Sequence, residues 1–183
     1  MPESDPFVLV AHSGAGLLLS AIREVSKRTA ACYLSVESGI PRDGMNCLDL
    51  FEKSKADGFR ASAPGGLLPT LTAHDQEAIP GAELRARFVS ELRPLPLAVY
   101  EELLPVSAGW PDAPCGHLQF SPFYDADAGL ARKTDWAYIK APGNHFYMLV
   151  EPDAVADALI ALVGALAHSV EQNNSTRADH KAS

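Results

Sequence analysis

The chain has 183 residues, with 15 Lys and Arg against 23 Asp and Glu, for a formal charge of −8. That length and composition fit one globular domain with room for a core. The acidic balance argues against nucleic acid or an anionic membrane as the main partner, because both select basic surfaces. Cys32, Cys47 and Cys115 form no CxxC pair, and an odd, widely spaced set fits a reducing compartment. The opening MPESDP is acidic where a secretion signal is basic, so a cytoplasmic location is expected. The most apolar run, Ala158 to Ala167, is too short to span a bilayer.

Phe7 to Ala11 is a continuous apolar run ending at a glycine-rich turn, the pattern of a strand buried on both faces in a parallel sheet. Gly14-Ala15-Gly16 opens a helical pattern from Leu17 to Val25, closed by Lys27 and Arg28, which suit a helix C-terminus. Cys32 to Val36 reads as a second strand, so residues 1–38 form a β-turn-α-β unit with the usual right-handed crossover. From 39 to 113 the chain is rich in Gly, Pro and charge. Its short amphipathic pieces, Glu83 to Leu92 and Leu97 to Leu104, are broken by Pro94 and Pro96, as in an insertion packed over a sheet. The core pattern resumes over 114–170: a strand at His117 to Phe120, a helix at Asp127 to Lys133, a strand at Trp136 to Lys140 and a helix at Pro152 to His168. Pro152 and Asp153 suit that last helix's first turn. Residues 171–183 are polar and read as a disordered tail.

Three places carry chemistry. Ser13, in Ala11-His12-Ser13-Gly14-Ala15-Gly16, stands where a buried strand runs into a helix. This is close to the G-x-S-x-G elbow, in which a sharp turn presents a serine hydroxyl above the sheet, although both flanking glycines are alanine here; the plain alternative is a helix cap. His145, in Pro142-Gly143-Asn144-His145-Phe146, lies in a loop at the end of the last strand, from which it can reach a serine as general base. Asp125, with Asp127 beside it, follows the strand ending at Phe120-Ser121 and can orient that imidazole or cap the next helix.

Glu37 ends the second strand and offers another acid. It also supports a rival reading: Gly14-x-Gly16 after a strand, with an acid about 20 residues on, loosely matches a dinucleotide fingerprint, but the third glycine falls at Leu19. The histidines at 12, 74, 117, 145, 168 and 180 show no HxH or HExxH spacing, so no metal site and no cofactor are expected.

The stretches VLVAHSGAG, CYLSVESGIP and APGNHFYMLVEPDAVADALIALV together resemble the C-terminal half of an α/β-hydrolase: the nucleophile elbow, the next strand, and the histidine loop with its closing helix. His145, Phe146, Glu151 and Pro152 resemble the esterase and lactonase branch. The resemblance implies an α/β fold of about four mostly parallel strands with flanking helices and a helical cap at 39–113. It also implies a Ser13–Asp125–His145 triad in that chain order, with the Gly14 amide as an oxyanion donor, and Glu37 and Asp127 as alternative acids. The implied activity is serine hydrolysis or acyl transfer on a small ester, lactone or thioester. The alternative is a non-catalytic protein that binds a small molecule in the same fold. About four strands precede the elbow in that superfamily, whereas only MPESDP precedes it here. The first strand is therefore expected to lie at a sheet edge, and pairing of two copies through residues 7–11 is the expected cover.

Overall fold

A computed structural model of the chain describes residues 7–69 and 77–181. Strand β1, Phe7–Ser13, runs into a 3-10 turn at Gly14–Leu18 and then helix α1, Leu19–Ser26. Lys27, at φ 53°, ends α1, and strand β2 follows at Ala30–Ser38. The next segment holds helix α2, Lys53–Ala61, and a two-residue antiparallel ribbon of β3, Leu67–Leu68, with β4, Leu95–Pro96. Helix α3, Ala82–Glu91, lies between these ribbon strands, and the single turn α4, Ala98–Glu101, follows them. The breaks at Pro94 and Pro96 fall where a ring without an amide hydrogen cannot continue a helix. The main sheet resumes with β5, Cys115–Gln119, then α5, Asp125–Lys133, and β6, Ala137–Lys140. The short α6, Tyr147–Val150, leads into α7, Pro152–Lys181.

The sheet order is β1-β2-β5-β6, all parallel. Two cores lie on its two sides. On one, Cys32, Leu34 and Val36 of β2, with Leu118 and Phe120, pack against Val155, Leu162 and Leu166 of α7. On the other, Ala11, Tyr33 and Cys115 pack against Leu19 at the start of α1. The carboxyl ends of all four strands therefore face one edge of the sheet, where open α/β sheets bind their ligands.

Two expectations need correction and one is extended. The run from Phe7 is not buried on both faces: Val8 is 37% and Val10 50% exposed, because β1 ends the sheet order and the α7 core is centred on β2 and β5. The closing helix does not stop near residue 170; its backbone is helical to Lys181. No proline or glycine follows Gly164, and polar composition governs burial more than whether a helix continues. Pro152–Val170 is by length and composition apolar enough to cross a bilayer, longer than the ten-residue run picked out above, yet Val155, Leu162 and Leu166 are buried against the sheet.

The β1-to-α1 turn depends on one glycine. A Cβ on Gly16 would run into the Ser38 hydroxyl and lie 2.5 Å from the Gly39 carbonyl oxygen, whereas a Cβ on Gly14 meets nothing within 4 Å. The close approach of turn and β2 thus falls at Gly16, one position beyond the elbow motif's glycine. Gly16→Ala is expected to destabilise the fold by about 1–3 kcal/mol through overpacking, with Gly14→Ala within about 0.5 kcal/mol of the parent. Urea unfolding of the two variants checks this; equal stabilities would show that the turn tolerates bulk.

Candidate active site

Ser13 ends β1 at φ 59° and ψ −133°, a backbone conformation that a residue with a Cβ adopts only when its surroundings impose it. Ser38 Oγ donates to the Ser13 carbonyl at 2.7 Å and holds the turn against β2. The Ser13 hydroxyl is 2.9 Å from His145 Nε2, across 132 residues of sequence. That distance lies within the range general-base proton transfer requires.

The loop after β6 is pinned along its length. Ala141 N donates to Gln119 O at 2.9 Å, and Gly143 N donates to Phe120 O at 3.4 Å. A Cβ on Gly143 would run into the Tyr147 ring. Asn144 donates to Ala78 O at 2.9 Å and accepts from Phe146 N at 2.8 Å. His12 Nε2 bonds the His145 carbonyl at 2.9 Å, and the two rings lie 4.6 Å apart. Burial lowers the pKa of His12, so it favours the neutral form; a neutral imidazole whose Nε2 carries the proton donates this bond.

The candidate acids separate clearly. The Asp125 side chain is 64% exposed, lies 3.9 Å from Lys140 Nζ, and accepts from Gln119 Nε2 at 2.6 Å. It opens α5. Asp127 is buried and accepts from Ile40 N and Arg42 Nη2, each at 3.1 Å; it ties the loop after β2 to α5. Glu37 is fully buried. The β1–β2 register passes from His12↔Val36 to Ser13↔Ser38, so Glu37 stands outside the ladder at φ 42°. Bulges of this kind re-aim a side chain. Its carboxylate accepts from Phe120 N at 2.6 Å, from Ser121 N at 3.0 Å and from Ser121 Oγ. With no exposed surface, Glu37 offers no face to a ribose, as a dinucleotide site requires.

Three neighbours of the site were missed in the sequence. His12 precedes the serine and carries the bond to the histidine loop. Ser121 receives Glu37. Tyr124 is buried, its ring is nearly parallel to that of His145 at 6.0 Å, and its hydroxyl lies within side-chain hydrogen-bonding reach of Ser13. Only the Ser121-Pro122 pair carries a local signal, as the N-cap and first residue of the turn Pro122–Tyr124. Among the described residues no group of three or more His, Cys, Asp or Glu is placed to hold a metal ion.

No protein-family model matches the sequence, and no curated protein matches it. Solved structures do match it in shape. One is an extracellular α/β-hydrolase from a Paenibacillus species, described as sharing structural and functional homology with tobacco salicylic acid binding protein 2. It superposes with a TM-score of 0.72 at 15% identity, over 86% of this chain and 72% of its own. Another is tomato methylketone synthase I complexed with 2-tridecanone, with a TM-score of 0.64 at 15% identity, over 91% of this chain and 74% of its own. The same tomato enzyme, as a variant complexed with β-ketoheptanoate, gives 0.63. The chain has the α/β-hydrolase fold.

A third histidine, buried in β5, makes the stability of the fold depend on pH. His117 of β5 is fully buried, with Nδ1 3.2 Å from Ser35 Oγ and its ring stacked on Tyr138. Burial and the nearby Arg132 charge lower its pKa from 6.5 to about 4. Because the folded value lies below the unfolded one, the neutral form's contribution is complete above about pH 6.5 and is lost as pH falls toward 4, about 3 kcal/mol in all. Urea unfolding at pH 7 and pH 4.5 is expected to show that His117→Gln loses less stability than the parent over this interval. Equal losses would remove His117 as the cause.

Proposed function

We propose that this chain is a serine hydrolase or acyl-transfer enzyme acting on a small ester, lactone or thioester. The observation that carries this reading is the 2.9 Å contact between Ser13 Oγ and His145 Nε2, made by a serine at φ 59°. In this reading the Ser13 oxygen attacks the substrate carbonyl, and its proton passes to His145 Nε2. The Gly14 amide, at the first position of the 3-10 turn, donates to the developing oxyanion. The tetrahedral intermediate then collapses as His145 protonates the leaving group, and water repeats the sequence on the acyl-serine.

Glu37 is the acid we assign to this machinery in place of Asp125. It is buried, and its charge acts on His12 and on Tyr124, whose rings flank His145. Asp125 is instead engaged with Gln119 and faces Lys140. The aromatic series Phe59, Phe51, Phe123 and Tyr124, with successive ring centroids 5.4, 5.8 and 4.9 Å apart, runs from the inserted segment to His145. It supports an apolar acyl or alcohol portion in the substrate, and the tomato neighbour's ligands, 2-tridecanone and β-ketoheptanoate, each carry an alkyl chain.

The test is hydrolysis of short p-nitrophenyl esters together with labelling by an organophosphonate. Labelling at Ser13 is expected, lost in Ser13→Ala and in His145→Ala. Glu37→Gln is expected to lower kcat/KM by about 10²–10⁴, the range for disabling a triad acid or a general base, with Asp125→Asn nearly unchanged. Labelling that persists in Ser13→Ala, or a folded protein that neither labels nor hydrolyses, would overturn the reading.

We further propose that two copies pair through β1. Its only sheet neighbour among the described residues is β2, and Val8 and Val10 are exposed on it; an apolar edge of this kind favours pairing with another strand. Sedimentation at micromolar concentration is expected to show a dimer that Val10→Lys shifts to monomer. A parent protein that stays a soluble monomer would dispose of this assembly.

A further inference from the structure

Oxyanion stabilisation in acyl transfer ordinarily uses two donors, and removing one costs about 10²–10³ in rate. The reading above supplies one, the Gly14 amide. The group best placed for the second is the Tyr124 hydroxyl. Tyr124 ends the turn Pro122–Tyr124 directly after β5, is 8% exposed, and holds its ring 22° from parallel to that of His145. Its hydroxyl is in reach of the Ser13 side chain.

The turn that carries it is fixed from beneath. Glu37 accepts from the Ser121 backbone and hydroxyl. Ser121 Oγ also accepts from Phe123 N at 3.3 Å, and Pro122 sets the turn's first φ. Tyr124 is therefore placed by the same carboxylate whose charge acts on it and on His12. Burial raises the pKa of Tyr124, opposed by the Ser13 hydrogen bond and aided by the Glu37 and Asp127 charges, so the phenol keeps its proton through the neutral range.

We propose that Tyr124 is a catalytic residue whose hydroxyl, with the Gly14 amide, donates to the oxyanion formed when Ser13 attacks. The step is balanced within the site. The Ser13 Oγ–C bond forms, the serine proton goes to His145 Nε2, and the carbonyl π pair moves onto the carbonyl oxygen. That oxygen is bonded to the same carbon as Oγ, so a donor already in reach of Oγ in the free enzyme needs only a small rotation to meet it. The assignment rests on the serine-hydrolase reading and extends it to a residue that no serine-histidine-acid pattern includes.

The variant Tyr124→Phe keeps the buried ring and removes only the hydroxyl. Two reactions of the whole chain separate its roles. In the first, a p-nitrophenyl alkylphosphonate labels Ser13: the Oγ–P bond forms, p-nitrophenolate leaves, the proton goes to His145, and charge grows on the phosphoryl oxygen. In the second, iodoacetamide alkylates His145: an N–C bond forms and iodide leaves, with no charge developing on oxygen. Tyr124→Phe is expected to slow phosphonate labelling about 10²–10³-fold, leaving His145 alkylation, read by mass spectrometry, within about twofold of the parent. Unchanged labelling would overturn the Tyr124 assignment and leave the Ser13–His145 reading standing. Equal slowing of both reactions would also overturn it, in favour of a packing role. A parent protein that does not label at Ser13 would remove the hydrolase reading, and this assignment with it.

Discussion

The geometry of the site depends on a short strap crossing the carboxyl edge of the sheet. β1 and β6 are the two outer strands of the order β1-β2-β5-β6, so three interstrand spacings, about 14 Å, separate the strand that carries Ser13 from the strand that leads to His145. The loop after β6 closes this gap in anchored steps. It bonds Gln119 and then Phe120 at the end of β5, and reaches His12 of β1 through the His145 carbonyl. Each of these anchors is a backbone group or a neutral side chain.

Glu37 extends this constraint beneath the strap. Burying a carboxylate is costly unless donors replace its water, and here the bulge at the end of β2 turns it toward three of them. Two of those donors are backbone amides at the β5 exit, so the acid also fixes how the chain leaves that strand. Ser13 and Glu37 both hold left-handed φ values, at the adjoining ends of neighbouring strands. Strain concentrated in this way is maintained only where surrounding contacts over-determine it, and the Ser38-to-Ser13 bond and the packing at Gly16 are such contacts.

Much of the sheet was legible because its strands are short apolar runs with clear stops. Phe7 to Ala11, Cys32 to Val36 and Trp136 to Lys140 each fall on an observed strand to within a few residues. Ser13 and His145 were legible for the same reason: each sits at the exit of a strand, and parallel strands bring such exits to one edge. How the candidate acids differ in surroundings was not legible, because Asp125 and Glu37 occupy equivalent-looking positions after β5 and β2. What separates them is a one-residue register shift, which leaves no local pattern in the chain. Tyr124 was not legible as a neighbour of the serine, since an aromatic residue after a strand carries no mark of whether its hydroxyl faces a solvated surface or a serine. The sidedness of Phe7 to Ala11 was misread because an apolar run records which residues can be buried, not whether an element lies over both faces.

The position of β1 bears on how the molecule breathes. Within the described residues it is held laterally by β2 alone, and outer strands with few partners open at lower free energy than interior ones. Ser13 is the last residue of this strand, whereas Glu37 and the anchors of the strap belong to β2 and β5 and their exits. Local opening would therefore separate the serine from a largely intact His145 and Glu37, rather than dismantle all three together. In a copy whose β1 is not paired with a second chain, loss of the Ser13–His145 contact on warming would precede global unfolding, and backbone amides of residues 8–13 would exchange with solvent faster than those of 32–36.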